Sequence, residues 1–231
     1  MIIFGKRNFF RKLENLFQVS GVSFHMTGPT HTYAKQTILK KAEALFLRLG
    51  VKSVSMDDVA SELGISKKTL YQFFESKEEL LLQAIREHQC EESEAVSSIC
   101  RDSQDALQEI LHIARLVILQ MQQISPAAIF DLKKYYPEAW KEVVDLHKGH
   151  IYGVLRENLD KGIRQGLYRE EINPDIIARL YLSGISSFSD ENLFPSVEFP
   201  RDRLFREFIF YHLRGIVSAR GLEKLLEFDS A

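Results

Sequence analysis

The stretch Ser55–Lys77 constrains the fold of this chain most, because it carries closely spaced signals for starting and stopping helices. Ser55 predicts a helix N-cap, and Asp58, three residues later, completes a capping box that binds free backbone N–H groups of the first turn. Gly64 predicts the left-handed residue that ends this helix, since glycine adopts positive φ without a steric penalty. Ser66 then predicts the N-cap of a second short helix.

Apolar residues within the stretch recur at helical spacing. In the second helix, Leu70 and Phe74 lie four residues apart and are predicted to form its buried pair. Ser76 with Glu79 predicts a further capping box at the start of a third helix. Ala60 places a small side chain where the first two helices cross. Two short helices joined by a tight turn and followed by a third are typical of a helix-turn-helix. The apolar stripe of the first helix consists of Met56, Val59, Ala60 and Leu63.

The second helix also presents a polar face that suits duplex DNA. Lysine, threonine, tyrosine and glutamine at an exposed helix end supply hydrogen-bond donors for base edges and phosphates in the major groove. The alternative interpretation is a pair of helices whose polar face is only solvated. The residues on this face, or at the N-terminal end of the helix, are Lys67, Lys68, Thr69, Tyr71, Gln72 and Phe73.

Residues 32–82 resemble the N-terminal domain of the TetR family of transcriptional regulators, most closely in the run GISKKTLYQFFESKEEL. The later runs DLKKYYPEAW and ENLDKGIRQGLY resemble C-terminal segments of family members more loosely. The resemblance implies an all-α fold, with an N-terminal three-helix helix-turn-helix domain and a C-terminal helical ligand-binding and dimerisation domain. The residues that carry it are Ile38, Ala42, Phe46, Gly50, Ser55, Val59, Ala60, Gly64, Ser66, Leu70, Tyr71, Phe74, Lys77 and Leu80.

The resemblance also implies DNA contacts at individual positions. Lys77 matches a lysine that clamps a DNA phosphate, and Tyr71 matches a tyrosine that contacts the DNA backbone. Gln72 occupies a position that often contacts DNA, and Ser55 matches a capping Ser or Thr whose hydroxyl reaches a phosphate. The predicted DNA-binding set is Ser55, Ser66, Lys67, Lys68, Thr69, Tyr71, Gln72, Phe73 and Lys77.

Two positions depart from the family pattern. Lys68 stands where many members carry Gly, Ala or Pro, and it could reach a guanine edge or a phosphate. Phe73 stands where many members carry a His or Tyr that bonds a phosphate. Because phenylalanine cannot make that bond, Phe73 either packs against a sugar or thymine methyl or turns inward. These departures affect the operator sequence rather than the DNA-binding role.

Composition limits the other function classes. Of the 231 residues 45% are hydrophobic, which is ample for a core, and the formal net charge is −2. No strong overall field is therefore available for nonspecific binding to nucleic acid, and any positive surface must be local. Cys90 and Cys100 have no metal-binding spacing, and we expect them to stay reduced in the cytosol.

No catalytic, metal or cofactor site is predicted. The sequence lacks a Gly-rich phosphate loop, a nucleophile elbow and an HExxH motif. Glu109 with His112 forms one Glu-x-x-His, whereas a di-iron helical bundle needs two such motifs and two further glutamates. His147 and His150 lie about one helical turn apart, but metal binding by them is the minor interpretation.

The N-terminal extension, residues 1–30, leaves two interpretations open. It carries basic residues and scattered aromatic residues but no apolar stretch long enough for a signal or membrane-spanning segment, so we expect a cytoplasmic protein. In the first interpretation these residues have no structural role, because the native chain starts at Met26 or because they form a disordered tail. In the second they form a basic arm that touches the DNA backbone or minor groove. We assign residues 31–77 to the DNA-binding domain and residues 78–231 to the helical domain.

The helical domain has few motifs, and its helix starts are read from caps and prolines. Asp102 is predicted to cap a helix that continues to Met121, and further helices are predicted after Pro126, Pro137 and Asn173-Pro174. Aromatic and apolar residues of the middle helices predict a pocket for a hydrophobic or amphipathic ligand, with core packing as the competing role for each. The candidates are Ile113, Leu116, Val117, Gln120, Phe130, Tyr135, Trp140, Val144, His147 and Tyr152.

Two predicted C-terminal helices, 175–188 and 202–217, carry apolar residues on more than one face. A single subunit does not easily cover them all, which predicts a C2 homodimer and a near-palindromic operator. The two recognition helices would lie about 34–36 Å apart, or a multiple of one DNA turn apart. The predicted partners are thus double-stranded DNA, a small-molecule effector and a second copy of the chain, with no membrane. The resemblance implies a repressor that its ligand releases from DNA. The alternatives are a helical-bundle enzyme and an interaction module without DNA binding.

Overall fold

The computed structural model describes the backbone of residues 29–229 and the side chains of residues 34–228 other than His147. The chain divides into two units between Lys35 and Gln36. Of the first unit the structure describes residues 29–35, which begin helix α1, and the contacts reported below lie within the second. The predictions for the N-terminal extension, including a start at Met26, lie outside the described residues.

The prediction of an all-α fold is confirmed. Over residues 29–229 the regular elements are helices, joined by loops that include one isolated antiparallel bridge between Tyr168 and Val217. In chain order the helices are α1 (Pro29–Leu49), α2 (Met56–Leu63), α3 (Lys67–Tyr71), α4 (Lys77–Asp102), α5 (Ala106–Met121), α6 (Pro126–Tyr135), α7 (Pro137–Arg164), α8 (Pro174–Ser187), α9 (Arg201–Ile216) and α10 (Ala219–Asp229).

The predicted caps of the helix-turn-helix are present. The Ser55 hydroxyl accepts the Asp58 N–H at 3.1 Å, and the Asp58 carboxylate accepts the Ser55 N–H at 2.8 Å. Gly64 has φ 67° and ends α2, while the Ile65 N–H returns to the Ala60 carbonyl at 3.0 Å. This turn is therefore set by local hydrogen bonds and by one positive φ, both of which are readable from the sequence.

Only one of the two hydrogen bonds of the capping box predicted for α4 is present. The Ser76 hydroxyl accepts the Glu79 N–H at 3.1 Å, as predicted. The Glu79 carboxylate, however, accepts the N–H of Glu75 at 2.6 Å instead of the Ser76 N–H. Glutamate is one methylene longer than the aspartate in the α2 box, so its carboxylate reaches one residue further back along the chain.

The first hydrophobic core surrounds the helix-turn-helix. Leu70 and Phe74 are 0% and 1% exposed, so the predicted buried pair is confirmed. They pack with residues of α1, α2 and α4, among them Phe46, Val59 and Leu80. Burying a large apolar side chain contributes about 1.5–3 kcal/mol, and Leu70→Ala would cost about 2–5 kcal/mol. Leu70 therefore fixes the orientation of a helix too short to be stable alone.

A second core forms between α5, α7, α8, α9 and α10. Helices α6, α7 and α8 begin at Pro126, Pro137 and Pro174, as predicted. The predicted N-cap of α5 was wrong: α4 continues through Asp102, and Asp105 caps α5 by accepting the Gln108 N–H at 3.0 Å. Helix α10 was not predicted.

A polar network lies inside the second core. The Tyr168 hydroxyl donates to the Asn158 Oδ1 at 2.8 Å, and the Asn158 Nδ2 donates to the Glu109 carboxylate at 2.8 Å. Lys161 also donates to Glu109, at 2.6 Å. The Glu-x-x-His glutamate is therefore a hydrogen-bonded structural group. Over the described side chains, no group of three or more His, Cys, Asp or Glu residues is placed to hold a metal ion.

Helix α7 connects the two cores. Its first turn places Ala139 in the first core, and its later turns place Leu155 and Leu159 in the second. Helix α6 joins the first core through Leu132. Within residues 29–229 no single helix is long and apolar enough to cross a membrane; α5 and α6 meet that test as a pair, bent by 81°.

Candidate nucleic-acid interface

The surface of α3 that faces away from the first core is the candidate interface. The backbone continues past Tyr71 in hydrogen-bonded turns, with the Gln72 N–H on the Thr69 carbonyl at 3.1 Å and the Phe73 N–H on the Leu70 carbonyl at 3.0 Å. Because the Leu70 side chain is fully buried, Lys68, Tyr71 and Gln72 emerge on the opposite side, and all three are exposed.

Three other predicted residues hold this surface in place. The Ser66 hydroxyl accepts the Thr69 N–H at 3.0 Å and lies 2.8 Å from the Thr69 hydroxyl. Lys67 forms an ion pair with Asp57 of α2 at 3.0 Å, and the hydrogen bond to Asp57 raises the pKa of Lys67. The pair is exposed, so its main consequence is to position the start of α3 against α2.

Lys68 and Gln72 are the available donors on this surface. Their side chains make no hydrogen bond or ion pair with any side chain that the structure describes. Tyr71 beside them is 43% exposed. An ammonium, an amide and a phenol on one side of a buried anchor can donate to base edges and phosphates without first breaking an internal contact.

Phe73 turns inward. It is half-buried, packs against the first core, and its ring centroid lies 6.5 Å from that of Phe74. Of the two interpretations left open by the sequence, the structure has the one in which Phe73 is part of the packing.

Ser55 and Lys77 lie beside α3, at the starts of α2 and α4. Hydrogen bonds from Ser55 lower the pKa of Asp58, which keeps the α2 cap ionised and in place. The Lys77 Nζ lies 3.5 Å from the Lys52 carbonyl and 5.8 Å from the Tyr136 ring, and burial lowers the pKa of Lys77.

Residues that the sequence analysis did not consider extend this region. Lys52 lies in the loop before α2, and its Nζ is 4.0 Å from the centroid of the Tyr135 ring. Lys134 lies 5.4 Å from the same ring. No motif marks these lysines, because α6 brings Lys134 beside Lys52 only in the folded chain.

The candidate ligand-lining residues that the structure describes lie in different surroundings. Phe130 and Tyr135 are 55% and 40% exposed, because the inward side of α6 is taken by Ala128 and Asp131. Tyr152 instead donates to the Asp175 carboxylate. Val117 packs against the second core, and Trp140 lies under Lys133. The side chain of His147 lies outside the described residues. The remaining candidates are half-buried: Ile113, Leu116, Gln120 and Val144.

A cleft of 310 Å³ lies instead between α4 and α7. None of the nine candidate residues whose side chains the structure describes is among its lining residues. Within it the His150 Nε2 is buried and has no hydrogen-bond partner among the described residues. Such an atom is a recognition point for a polar group of a ligand. The lining residues are Arg86, Gln89, Cys90, Glu92, Ser93, Leu146 and His150.

Helices α8 and α9 bury much of their apolar surface within the subunit. Tyr181 and Phe205 are buried, and Phe208 packs against both Tyr181 and Gly184. One subunit therefore covers more of these residues than the sequence analysis expected. Leu180 and Tyr211 remain 61% and 78% exposed.

Comparison with known proteins agrees with this geometry. Residues 38–84, which span the helix-turn-helix, match the family model described as bacterial regulatory proteins, tetR family. YvaF of Bacillus subtilis (strain 168), an uncharacterized HTH-type transcriptional regulator, is 26% identical over 139 residues, 60% of this chain and 72% of YvaF. YhgD of the same organism, described in the same words, is 24% identical over 168 residues, 68% of this chain and 85% of YhgD.

Solved structures share the fold over about four fifths of this chain. A protein from Saccharomonospora viridis solved in complex with choline has a TM-score of 0.60 at 24% identity, and the match covers 81% of this chain and 99% of that one. A transcriptional regulator from Cytophaga hutchinsonii has a TM-score of 0.64 at 18% identity, covering 79% of this chain and 98% of that one. At these identities the likeness concerns the fold.

Proposed function

We propose that this chain, a TetR-family transcriptional regulator, acts as a homodimeric repressor that reads a near-palindromic operator through the exposed side of α3. The observation that carries the proposal is the pairing of a buried anchor with free donors: Leu70 is fully buried, while Lys68 and Gln72 are exposed and unpaired among the described side chains. Because the family consists of DNA-binding regulators, the alternative of a helical-bundle enzyme is not favoured.

The proposed roles divide into reading and positioning. Lys68 and Gln72 contact base edges, Tyr71 contacts the backbone, and Lys77 clamps a phosphate at the start of α4. Ser55, Ser66, Lys67 and Thr69 hold these groups through caps and the ion pair to Asp57. We propose residues 31–77 as the DNA-binding domain and residues 78–231 as the domain that dimerises and senses.

A DNA-binding measurement tests this proposal. A duplex selected by the wild-type protein from a random-sequence pool serves as the probe, and affinity is followed by fluorescence anisotropy. Lys68→Ala is expected to weaken binding to the selected duplex by about 1–3 kcal/mol and to relax its sequence preference. Lys77→Ala is expected to weaken all duplexes alike and to make the salt dependence shallower.

Lys141→Ala is the matched control, because Lys141 lies on α7 and pairs with Asp145 within that helix. It is expected to bind like the wild type. If Lys68→Ala and Lys77→Ala also bind like the wild type, α3 is not the working surface, and the interaction module without DNA binding becomes the better interpretation.

The exposed apolar residues of α8 and α9 support the proposed homodimer. Leu180 and Tyr211 are large apolar side chains that no described residue covers. Pairing α8 and α9 with the same helices of a second subunit would cover them by an isologous contact, which a C2 axis generates. Such a dimer presents two copies of α3 to successive major grooves.

We place the effector in the cleft between α4 and α7. Its volume of 310 Å³ suits a small amphipathic molecule, and Arg86, Glu92 and His150 offer polar contacts beside Leu146. Choline, the molecule bound to the Saccharomonospora viridis protein, fits this lining poorly, because quaternary ammonium groups favour aromatic cages and the described residues that line the cleft include no Phe, Tyr or Trp.

The proposed connection from the cleft to α3 runs through α4, α6 and α7. Arg86 of α4 pairs with Glu142 of α7 at 2.5 Å, beside the cleft. Asp131 of α6 accepts the Lys52 N–H at 2.7 Å, just before α2. A ligand that binds better when α4 and α7 are further apart shifts the population away from operator spacing, and a full switch needs about 5.5 kcal/mol of differential affinity.

Leu146→Trp, which fills the cleft, tests the location of the effector site. A molecule from a screened panel that raises the melting temperature of the wild type and releases its DNA is expected to do neither with Leu146→Trp. A molecule that releases both proteins equally binds elsewhere. A molecule that tightens DNA binding would make the protein a co-repressed or activating regulator instead.

A further inference from the structure

Besides α3, the described residues form another basic surface at Lys52, Lys134 and the ring of Tyr135, which we call the α6 corner. The Lys52 Nζ lies 4.0 Å and the Lys134 Nζ 5.4 Å from the centroid of the Tyr135 ring. Lys134 also lies 5.1 Å from the Phe130 ring. Both lysines are exposed, so two ammonium groups share one aromatic support at the surface.

The lysines of the α6 corner differ in their charge environment from six other lysines that the structure describes. Among the described side chains, neither has a carboxylate within ion-pairing distance. Six other described lysines do form ion pairs: Lys40 with Glu91, Lys41 with Glu62, Lys67 with Asp57, Lys141 with Asp145, Lys161 with Glu109, and Lys224 with Asp105. In a chain of net charge −2, unpaired ammonium groups on one ring form a local positive field.

Three carboxylates of this region, those of Asp131, Asp58 and Glu78, bind or lie near groups other than the two lysine ammonium groups. Asp131 is buried and accepts the backbone N–H of Lys52 at 2.7 Å. Burial raises the pKa of Tyr136, and the charge of Asp131 adds to that rise. Asp58 is held in the α2 cap by Ser55. Glu78 is exposed and lies near Lys77 and Tyr136. The lysines beside the Tyr135 hydroxyl lower the pKa of that phenol, with the Lys52 hydrogen bond as the largest cause.

The α6 corner is continuous with the proposed DNA-binding surface. The Lys77 Nζ lies 3.5 Å from the Lys52 carbonyl. Lys52 itself stands three residues before the Ser55 cap of α2. A path of positive groups therefore runs from the start of α4, through Lys52, to Lys134 at the end of α6. Each step of this path is a contact of about 3.5–5.4 Å: Lys77 to the Lys52 carbonyl, and Lys52 and Lys134 to the Tyr135 ring.

We propose that the α6 corner is a second contact site for the DNA backbone, at which Lys52 and Lys134 bind phosphates flanking those reached by Lys77. The inference rests on the proposed function. A duplex brought to Lys77 supplies a row of phosphates at regular spacing, which matches paired ammonium groups better than a single small anion does. The Tyr135 ring holds the two ammonium groups and so reduces the rotamer freedom lost on binding.

The consequence is a direct link between DNA and the sensing domain. Lys134 lies on α6, whose Asp131 also holds the loop before α2. Phosphate contact at Lys134 stabilises the position of α6 that goes with operator-spaced α3 helices. A ligand that moves α6 would therefore break the phosphate contact of Lys134 directly, in addition to moving α3.

The salt dependence of DNA binding tests the site. Lys134→Gln is compared with Lys133→Gln, since Lys133 is its neighbour but donates to the Ser189 carbonyl at 2.9 Å and lies over Trp140. Affinity for one random-sequence duplex is measured by anisotropy between about 50 and 200 mM salt. Losing one phosphate contact per subunit makes the slope of log K against log salt shallower by about 1.8 per dimer.

Between about 50 and 200 mM salt both proteins lose affinity for the duplex. With that change in slope, the factor by which the wild type loses affinity is about 12 times the factor for Lys134→Gln. Lys133→Gln is expected to keep the wild-type slope, and Lys134→Arg to restore it. If Lys134→Gln and Lys133→Gln share one slope while the wild type binds DNA, the second contact site is wrong and the proposed function stands. If the wild type binds no duplex, the proposed function itself fails.

Discussion

The hydrogen bond between the Asp131 carboxylate and the Lys52 N–H joins α6 to the loop before α2. Its contribution to the free energy of unfolding can be measured with single substitutions of Asp131. Asp131 is 8% exposed, and its Oδ2 accepts the Lys52 N–H at 2.7 Å beside Gly50, whose φ is 87°. A hydrogen bond to a charged acceptor contributes about 1.5–3 kcal/mol. We expect Asp131→Ala to lower the free energy of unfolding by that amount, because the amide is left part-buried and unpaired.

Asp131→Asn separates the hydrogen bond from the charge. Its carbonyl oxygen keeps an acceptor for the Lys52 N–H, and a neutral bond retains about 0.5–1.5 kcal/mol. Its loss should therefore be roughly half that of Asp131→Ala. Urea unfolding followed by circular dichroism gives both values. Amide hydrogen exchange at Lys52 adds a local measurement, with the fastest exchange expected in Asp131→Ala.

Two outcomes would refute this reasoning. Equal stability of Asp131→Ala and the wild type would mean that water replaces the carboxylate at no cost. Equal loss in Asp131→Ala and Asp131→Asn would mean that the charge, not the hydrogen bond, holds the loop before α2.

Three further predictions concern stability and assembly. The His88 Nδ1 donates a hydrogen bond to the Glu43 carboxylate at 2.6 Å, which raises the pKa of His88. The contribution of this bond to stability, at most about 1 kcal/mol, is complete below the unfolded pKa of about 6.5 and is lost as pH rises through the folded pKa. The difference in urea midpoint between the wild type and His88→Gln should thus be larger at acidic than at alkaline pH, and the reverse order would contradict the assignment. Tyr168→Phe should cost about 1–3 kcal/mol, since it leaves the buried Asn158 oxygen without its donor; a loss within error in thermal unfolding would show that another group takes over. Leu180→Arg should yield monomers in analytical ultracentrifugation while keeping the wild-type fold by circular dichroism, and a dimer of unchanged affinity would move the interface away from α8.

Local chemistry explains why the helix-turn-helix was predictable from the sequence. Ser55, Gly64 and Ser66 act on backbone groups within four residues of themselves, so their effects are visible without the rest of the fold. Leu70 and Phe74 follow one helical period, and burial of such a pair is the simplest way to hold a short helix. The prolines that begin α6, α7 and α8 act in the same local way.

Tertiary contacts decide what the sequence could not show. Asp102 and Asp105 are both good caps, and the choice fell on Asp105 because α4 continues through Asp102. Tyr135 has the composition of a pocket residue, yet α6 places it at the surface with Lys52 and Lys134. The effector cleft depends on how α4 and α7 lie side by side, for which no periodicity in either helix gives a signal.

Backbone footprinting on the selected duplex tests the central claim most directly. The wild-type protein is expected to protect two patches on one face of the duplex, centred in successive major grooves about 34–36 Å apart or a multiple of that distance, and Lys68→Ala should weaken both together. A single protected patch, or two patches that Lys68→Ala leaves unchanged, would contradict the claim that α3 reads DNA twice from a symmetric dimer.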